Sequence, residues 1–212
     1  MQPLKRIKTE NYTKQIIEPE FIVIHYTGGS YQRVKNLFES KEMQVSAHFV
    51  IDLDGSIDEV VECLSGQCFR AWHSGYSIWI DEKGDTWNDF NSHSIGIELV
   101  NLNGNMVEYP IKQIDSLFSL CQSILNIYPS LNNPHRIVGH EHISGYRGKA
   151  DPGIYFPWND LFSALFHITH FPNRIPICPV ELATQYKKFL KCAPKISEPD
   201  IHHLFWHSIN RS

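Results

Sequence analysis

The sequence predicts an α/β (mixed) fold, with a central mixed β-sheet flanked by helices. Three observations carry that expectation. Short runs rich in β-branched and aromatic residues, such as FIVIHY at 21–26, read as buried strands. Other segments place apolar residues at helical spacing, most clearly at 111–127. The two kinds alternate along the chain, which is the pattern of a sheet layered with helices. With 212 residues, 42% hydrophobic and 20% charged, the chain has material for one packed domain and a small appendage.

Taken in order, residues 1–20 read as an N-terminal extension. The run 21–26 is the first core strand, and Gly28 and Gly29 end it. Ser30 can cap a helix whose apolar face is Val34, Leu37 and Phe38. AHFVIDLDGSIDEVV reads as two strands around the turn Asp54-Gly55. SIGIELVN, 94–101, is a further core strand. The helix 111–127 presents Ile111, Ile114, Leu117, Phe118, Cys121, Ile124 and Leu125 on one stripe. RIVGH is a short strand. FPWNDLFSALFHI opens with Pro157, which suits a first helical turn, and carries Leu161, Phe162, Leu165 and Phe166. The proline-rich FPNRIPICP then marks a boundary, so the main domain is expected at 21–170 and a small helical region at 171–212. Two short helices are expected there, one at about 180–191 and one opened by Ser197-x-x-Asp200.

The bulk numbers narrow the function. A formal charge of −4 and a pI near 6.3 advertise no basic face for nucleic acid. No apolar run is long enough to span a bilayer. The N-terminus is basic without an apolar h-region, so a cytoplasmic location is expected, with the periplasm as the alternative. Five cysteines without a CxxC argue against a disulfide framework and against a cysteine zinc cluster.

The stretch GHEHISGYRGKADPG, 139–153, is the chemically dense one. His140 follows a strand, and Asp151 comes eleven residues later, after a glycine-bearing loop. His25 closes the first strand. Two imidazoles and one carboxylate make a catalytic zinc set that leaves the fourth position open for water. The plainer reading stands beside it. A lone histidine at a strand end is usually structural, and Asp-Pro-Gly is usually a turn. Spacing alone leaves the two readings balanced.

VIHYTGG, VSAHFVIDLDG, AWHSG, SIGIELVN and GHEHISGYRGKADPG…FPW follow one another in that order. Together they resemble the type 2 N-acetylmuramoyl-L-alanine amidases, relatives of the peptidoglycan recognition proteins and the phage lysozyme-type amidases. The resemblance covers about residues 20–168. It implies one Zn2+ per chain held by His25, His140 and Asp151, a catalytic carboxylate at Glu98 and an oxyanion-stabilising Lys149. It implies a peptidoglycan or muropeptide substrate cut between N-acetylmuramic acid, intact or anhydro, and L-alanine. KEMQVSAH, AWHSGYSIW and DPGIYFPW look like the branch that carries a small helical wall-binding region. Two departures stand out. The related phage enzymes carry a catalytic tyrosine where this chain has Ala47. In many relatives an arginine directly precedes the lysine, whereas here Gly148 intervenes and Arg147 lies one step back.

Other residues divide by neighbourhood. His73 resembles a substrate-contacting position, Asn91 is a candidate for the peptide stem, and Arg147 for sugar or peptide. Trp72 reads as structural. His48 lies among apolar neighbours and is expected behind the metal, while His142 is expected to point elsewhere. Two rival functions stay open: a recognition module that binds peptidoglycan without cutting it, and a zinc peptidase of another specificity.

Overall fold

The computed structural model describes residues 7–147 and 149–168. The helices expected within 171–212, and Cys178 and Cys192 with them, lie outside the described residues.

Nine strands and four α-helices are present among the described residues. They are β1 (Tyr12–Ile17), β2 (Phe21–Tyr26), α1 (Tyr31–Glu39), β3 (Phe49–Ile51), β4 (Ile57–Glu59), β5 (Cys68–Ala71), β6 (Ile78–Ile80), β7 (Thr86–Asn88), β8 (Ser94–Leu99), α2 (Ile111–Ile127), β9 (Ile137–Gly139), α3 (His140–Ser144) and α4 (Trp158–Phe166). The central sheet has the order β4-β3-β8-β2-β9. Strands β3, β8, β2 and β9 run parallel, and β4 is antiparallel at one edge. The sheet is therefore mixed. The parallel strands need crossovers, and α1 between β2 and β3 and α2 between β8 and β9 supply two of them.

The two faces of this sheet differ in chemistry. Period-two alternation sends Ile22, Ile24, Ile95, Ile97, Phe49 and Ile51 to one face. That face packs against Leu117, Leu120 and Cys121 of α2 and Leu161 and Phe162 of α4. Gln113 secures the start of α2, its amide donating to the carbonyls of Ile51 (2.9 Å) and Val100 (3.0 Å). On the opposite face, one apolar group joins Phe21, Val23 and Val138 to Trp79, Phe90 and Ile143. A second joins Val50 and Val100 to Val34 and Phe38 of α1. Between these two groups the same face carries His25, Gly96 and Glu98.

Helix α1 follows its expected cap, the Ser30 hydroxyl accepting from the Arg33 N–H at 3.4 Å. The hairpin β3-β4 turns at Gly55, whose φ of +86° is left-handed backbone that glycine adopts freely. Pro157 sits at the N-cap of α4 rather than inside its first turn. The segment expected as an N-terminal extension contains β1, which pairs antiparallel with β5. Ile7 and Asn11 ahead of that strand are buried in the domain. A second small hairpin, β6-β7, also went unpredicted.

Candidate metal centre and active site

Parallel strands point their C-terminal ends the same way, and in open α/β sheets that edge is where chemistry gathers. Here it gathers three elements. His25 is the fifth residue of β2 and Glu98 the fifth of β8, and the two are register partners on neighbouring parallel strands. His140 follows β9 as the first residue of α3.

Asp151 arrives from the loop after α3, and several contacts fix it. The Glu141 N–H donates to the Asp151 carbonyl at 2.8 Å. The Asn105 amide donates to the Ala150 carbonyl at 3.0 Å, and the Tyr109 hydroxyl to the Pro152 carbonyl at 2.6 Å. The close approach depends on Gly139, where an added Cβ would lie 2.6 Å from the Pro152 ring. The "GH" pair in the sequence thus has a steric reason.

The result is a near-equilateral triangle of donor atoms. His25 Nδ1 lies 3.0 Å from His140 Nδ1 and 2.9 Å from Asp151 Oδ2, and His140 Nδ1 lies 3.0 Å from Asp151 Oδ2. All three residues are buried. Ligands of a tetrahedral zinc at about 2.0–2.1 Å stand roughly 3.3–3.4 Å apart. The triangle is slightly tighter than that, and small side-chain rotations open it. The tautomer of His140 is set by its other nitrogen. Nε2 lies 3.0 Å from the Ser74 carbonyl, which only accepts, so Nε2 carries the proton and Nδ1 offers a lone pair.

Charge states agree with this use. Burial and the neighbouring His140 push the pKa of His25 down to about 4, against the pull of Asp151. Burial alone would raise the Asp151 carboxyl, but His140 and His25 hold it far below the usual carboxylate range. Neutral imidazole and ionised carboxylate are the states a divalent metal requires. The donor set, its burial and its spacing fit a metal such as zinc.

Glu98 stands beside the triangle. Burial first and Asp151 second raise its pKa to about 8, against the opposing pull of Lys149. Its Oε2 is shut from solvent and has no hydrogen-bond partner among the described residues. Two adjoining cavities open here, of about 460 and 420 Å3. They share Trp72, His73, His140 and Lys149. One holds His25, Glu98 and Asp151 together with the apolar Val34, Leu37 and Phe38. The other is lined by Arg70, Asn91 and Arg147.

The three residues anticipated as substrate contacts all line the second cavity, and each is also engaged within the protein. The Asn91 Oδ1 accepts from the N–H groups of His73 (2.9 Å) and Ser74 (2.8 Å) and from the Ser74 hydroxyl. Arg147 donates to the carbonyls of Ser74 (3.1 Å) and Tyr76 (2.7 Å), bracing the loop that faces His140. His73 Nδ1 lies 3.0 Å from His25 Nε2. Its own pKa is driven well below the usual histidine value by burial and by His25 and His48. His48 sits on the same sheet face, taking the Gly96 N–H on Nδ1 and facing the Phe69 carbonyl with Nε2. His142 takes the Gly139 N–H on Nδ1 and points away from the triangle. The sequence reading gave no role to Ser74 or Ser94, because serines in a loop or at a strand start carry no signal until their partners are known.

An α/β domain with a buried two-histidine, one-aspartate ligand set and a carboxylate beside it is the architecture of a metal-dependent hydrolase. The family model described as N-acetylmuramoyl-L-alanine amidase matches residues 15–154. The 1,6-anhydro-N-acetylmuramyl-L-alanine amidase AmpD of Haemophilus influenzae is 36% identical over 164 residues, which are 68% of this chain and 81% of that protein. A putative N-acetylmuramoyl-L-alanine amidase of Rickettsia conorii is 31% identical over 71% of this chain and 53% of its own length. Among solved structures, AmpDh3 of Pseudomonas aeruginosa in complex with anhydromuramic pentapeptide superposes with a TM-score of 0.59. It is 26% identical, and the match covers 97% of this chain and 79% of that one. The chain belongs to the N-acetylmuramoyl-L-alanine amidase family.

Proposed function

We propose that the chain is a zinc-dependent enzyme that hydrolyses the amide between the lactyl group of N-acetylmuramic acid, intact or anhydro, and the L-alanine of a peptidoglycan stem peptide. The observation that carries the reading is the buried triangle of His25, His140 and Asp151 with Glu98 on the adjoining strand. Zinc held by that triangle would supply Lewis-acid polarisation of the scissile carbonyl and a water of lowered pKa.

The chain's own groups then divide the remaining work. Glu98 takes the proton of the attacking water and returns it to the departing alanine nitrogen. Its unpartnered, buried Oε2 suits a group that must exchange a proton rather than hold a fixed hydrogen bond. Lys149, shared by both cavities, offers its ammonium to the oxygen that becomes negative as the carbonyl turns tetrahedral. The cavity bearing Arg70 and Arg147 suits the carboxylates of a stem peptide. The cavity beside Glu98 sets the apolar side chains of Val34, Leu37 and Phe38 near the reacting bond.

Digestion of intact and anhydro-muropeptides, read by mass spectrometry with and without a chelator, tests the reading. Release of free stem peptide and free sugar, stopped by chelator and restored by zinc, is expected. Binding without cleavage by zinc-loaded protein would make the chain a recognition module, and a cut inside the peptide would make it a peptidase. The cytoplasmic placement expected from the sequence belongs to the same proposal. Among the described residues no helix is long and apolar enough to cross a membrane. Recovery of the full-length protein in a periplasmic extract would overturn the cytoplasmic placement.

A further inference from the structure

His73, the candidate substrate contact, lines both cavities and also lies against His25, the proposed metal ligand. Its Nδ1 is 3.0 Å from His25 Nε2, and its Nε2 is 3.4 Å from the Ser94 hydroxyl. Ser94 in turn donates to the Phe90 carbonyl. We propose that the row Phe90 carbonyl, Ser94, His73 is a positioning device that fixes which nitrogen of His25 offers its lone pair to the metal. The inference rests on the metal role given to His25 above.

The direction of the row follows from its far end. A backbone carbonyl only accepts, so the single hydroxyl hydrogen of Ser94 is committed to Phe90. The Ser94 oxygen can then only accept from His73, and Nε2 of His73 must carry the ring proton. A neutral His73 with its proton on Nε2 has a bare Nδ1. That atom accepts from His25, so His25 carries its proton on Nε2 and presents a bare Nδ1. This is the nitrogen that faces His140 Nδ1 and Asp151 Oδ2. With the Ser74 carbonyl setting His140 in the same way, both ring lone pairs and the ionised Asp151 converge on one point. A metal cation held at that point relieves the convergence.

The sequence builds the row with evident steric care. Gly96 is the residue of β8 beneath His73, and an added Cβ there would lie 2.5 Å from His73 Cγ. Only glycine lets the imidazole reach the sheet and touch His25. Asn91 holds the backbone of His73 and Ser74 from the other side. The His48 ring meets the His73 ring edge-on, with centroids 5.8 Å apart, and closes the remaining side. Partners that fix a ligand's tautomer commonly carry about ten- to a hundredfold of metal affinity.

The test reads zinc affinity by competition with a chromogenic chelator, without substrate. His73→Phe keeps a flat ring but no acceptor, and is expected to bind zinc about 10- to 100-fold more weakly. His73→Gln, whose amide oxygen can accept from His25, is expected to recover part of the loss, which a merely space-filling role would not produce. Parent-like affinity in a folded His73→Phe protein overturns the proposal. Should that variant not fold, side-chain nitrogen NMR of the metal-free parent decides instead. A proton on His73 Nε2 with Nδ1 bare supports the row, and a proton on Nδ1 overturns it. A parent protein that binds zinc yet cuts no muropeptide would sink the proposed reaction and leave this result standing.

Discussion

Glu98 is a carboxylate placed where its charge is least welcome. Burial and Asp151 both press toward the protonated form, and Lys149 and any cation in the triangle press against them. Such opposed influences tune a group to give and take protons near neutral pH. Glu98→Gln preserves the shape but cannot accept a proton. Lys149→Ala removes a cation without touching the triangle. Each variant is expected to lose on the order of a hundredfold or more in kcat while zinc content stays at the parent level. If both groups serve one transition state, the double variant loses less than the product of the single losses. Steady-state kinetics with metal analysis on the same samples check this, and near-parent turnover of Glu98→Gln would move the proton to another group. The residues proposed as metal ligands and as catalytic groups could be singled out because each sits in a short motif, and the motifs occur in a recognisable order. The role of His73 could not. Its meaning comes from His25, 48 residues away, and from a serine that no motif marks.

At the scale of elements, legibility followed local pattern. The long stripe of α2, the turn at Gly55 and the apolar runs of β2 and β8 declare themselves because burial on one side imposes a period. Strand β1 does not. In YTKQII only Ile17 is fully buried, and the strand is held by pairing with β5 across a bulge between Thr13 and Ile16. Backbone pairing leaves no residue-type signature, so the segment read as an extension. Strands β6 and β7 have three residues each, too few to show alternation. Their turn is set instead by Asp81, which accepts from the N–H groups of Lys83 and Asp85 and from the Trp87 indole. The link from the N-terminal segment to α1 is also polar. The buried Asn11 amide reaches the carbonyls of Phe38 (3.2 Å), Ser40 (2.8 Å) and Val45 (3.0 Å). Asn11→Ala removes all three bonds, leaving Phe38 with only the Thr9 hydroxyl and Ser40 with only the Met43 N–H. A loss of about 1–3 kcal/mol is expected, seen as a lower urea midpoint with an unchanged slope. A parent-like midpoint would mean that β1 and the Thr9 hydroxyl, which donates to the Phe38 carbonyl, suffice to tie the N-terminal segment down.

At the scale of the whole molecule, the site is a fastening between distant parts of the chain. His25 and His140 are 115 residues apart in sequence, and His25 and Asp151 are 126 apart. The proposed ligands and catalytic groups all lie within the described domain, so truncation after Phe171 is expected to leave zinc uptake and activity on soluble muropeptides. A folded truncation with no activity would give the C-terminal region a part in the chemistry. The same long reach links metal to stability. The unfolded chain separates the three donors, so zinc binds the native state far better than the unfolded one. Mass action then raises stability with free zinc, by about 2.7 kcal/mol when zinc is at a hundred times its dissociation constant. The metal-free protein carries the opposite burden, since an ionised Asp151 and two imidazole lone pairs face one another at about 3 Å. Chelation is therefore expected to lower Tm, and graded addition of zinc to restore it in step with the logarithm of free zinc. The His140→Ala variant supplies the control. It removes one ligand and, with it, most of the zinc-dependent rise, while its Tm without metal stays near or above that of the metal-free parent because one of the converging groups is gone. Thermal melts of parent and variant across a zinc series measure both effects. A parent Tm that ignores zinc, or an equal rise in the variant, would show that the metal does not bind at this triangle.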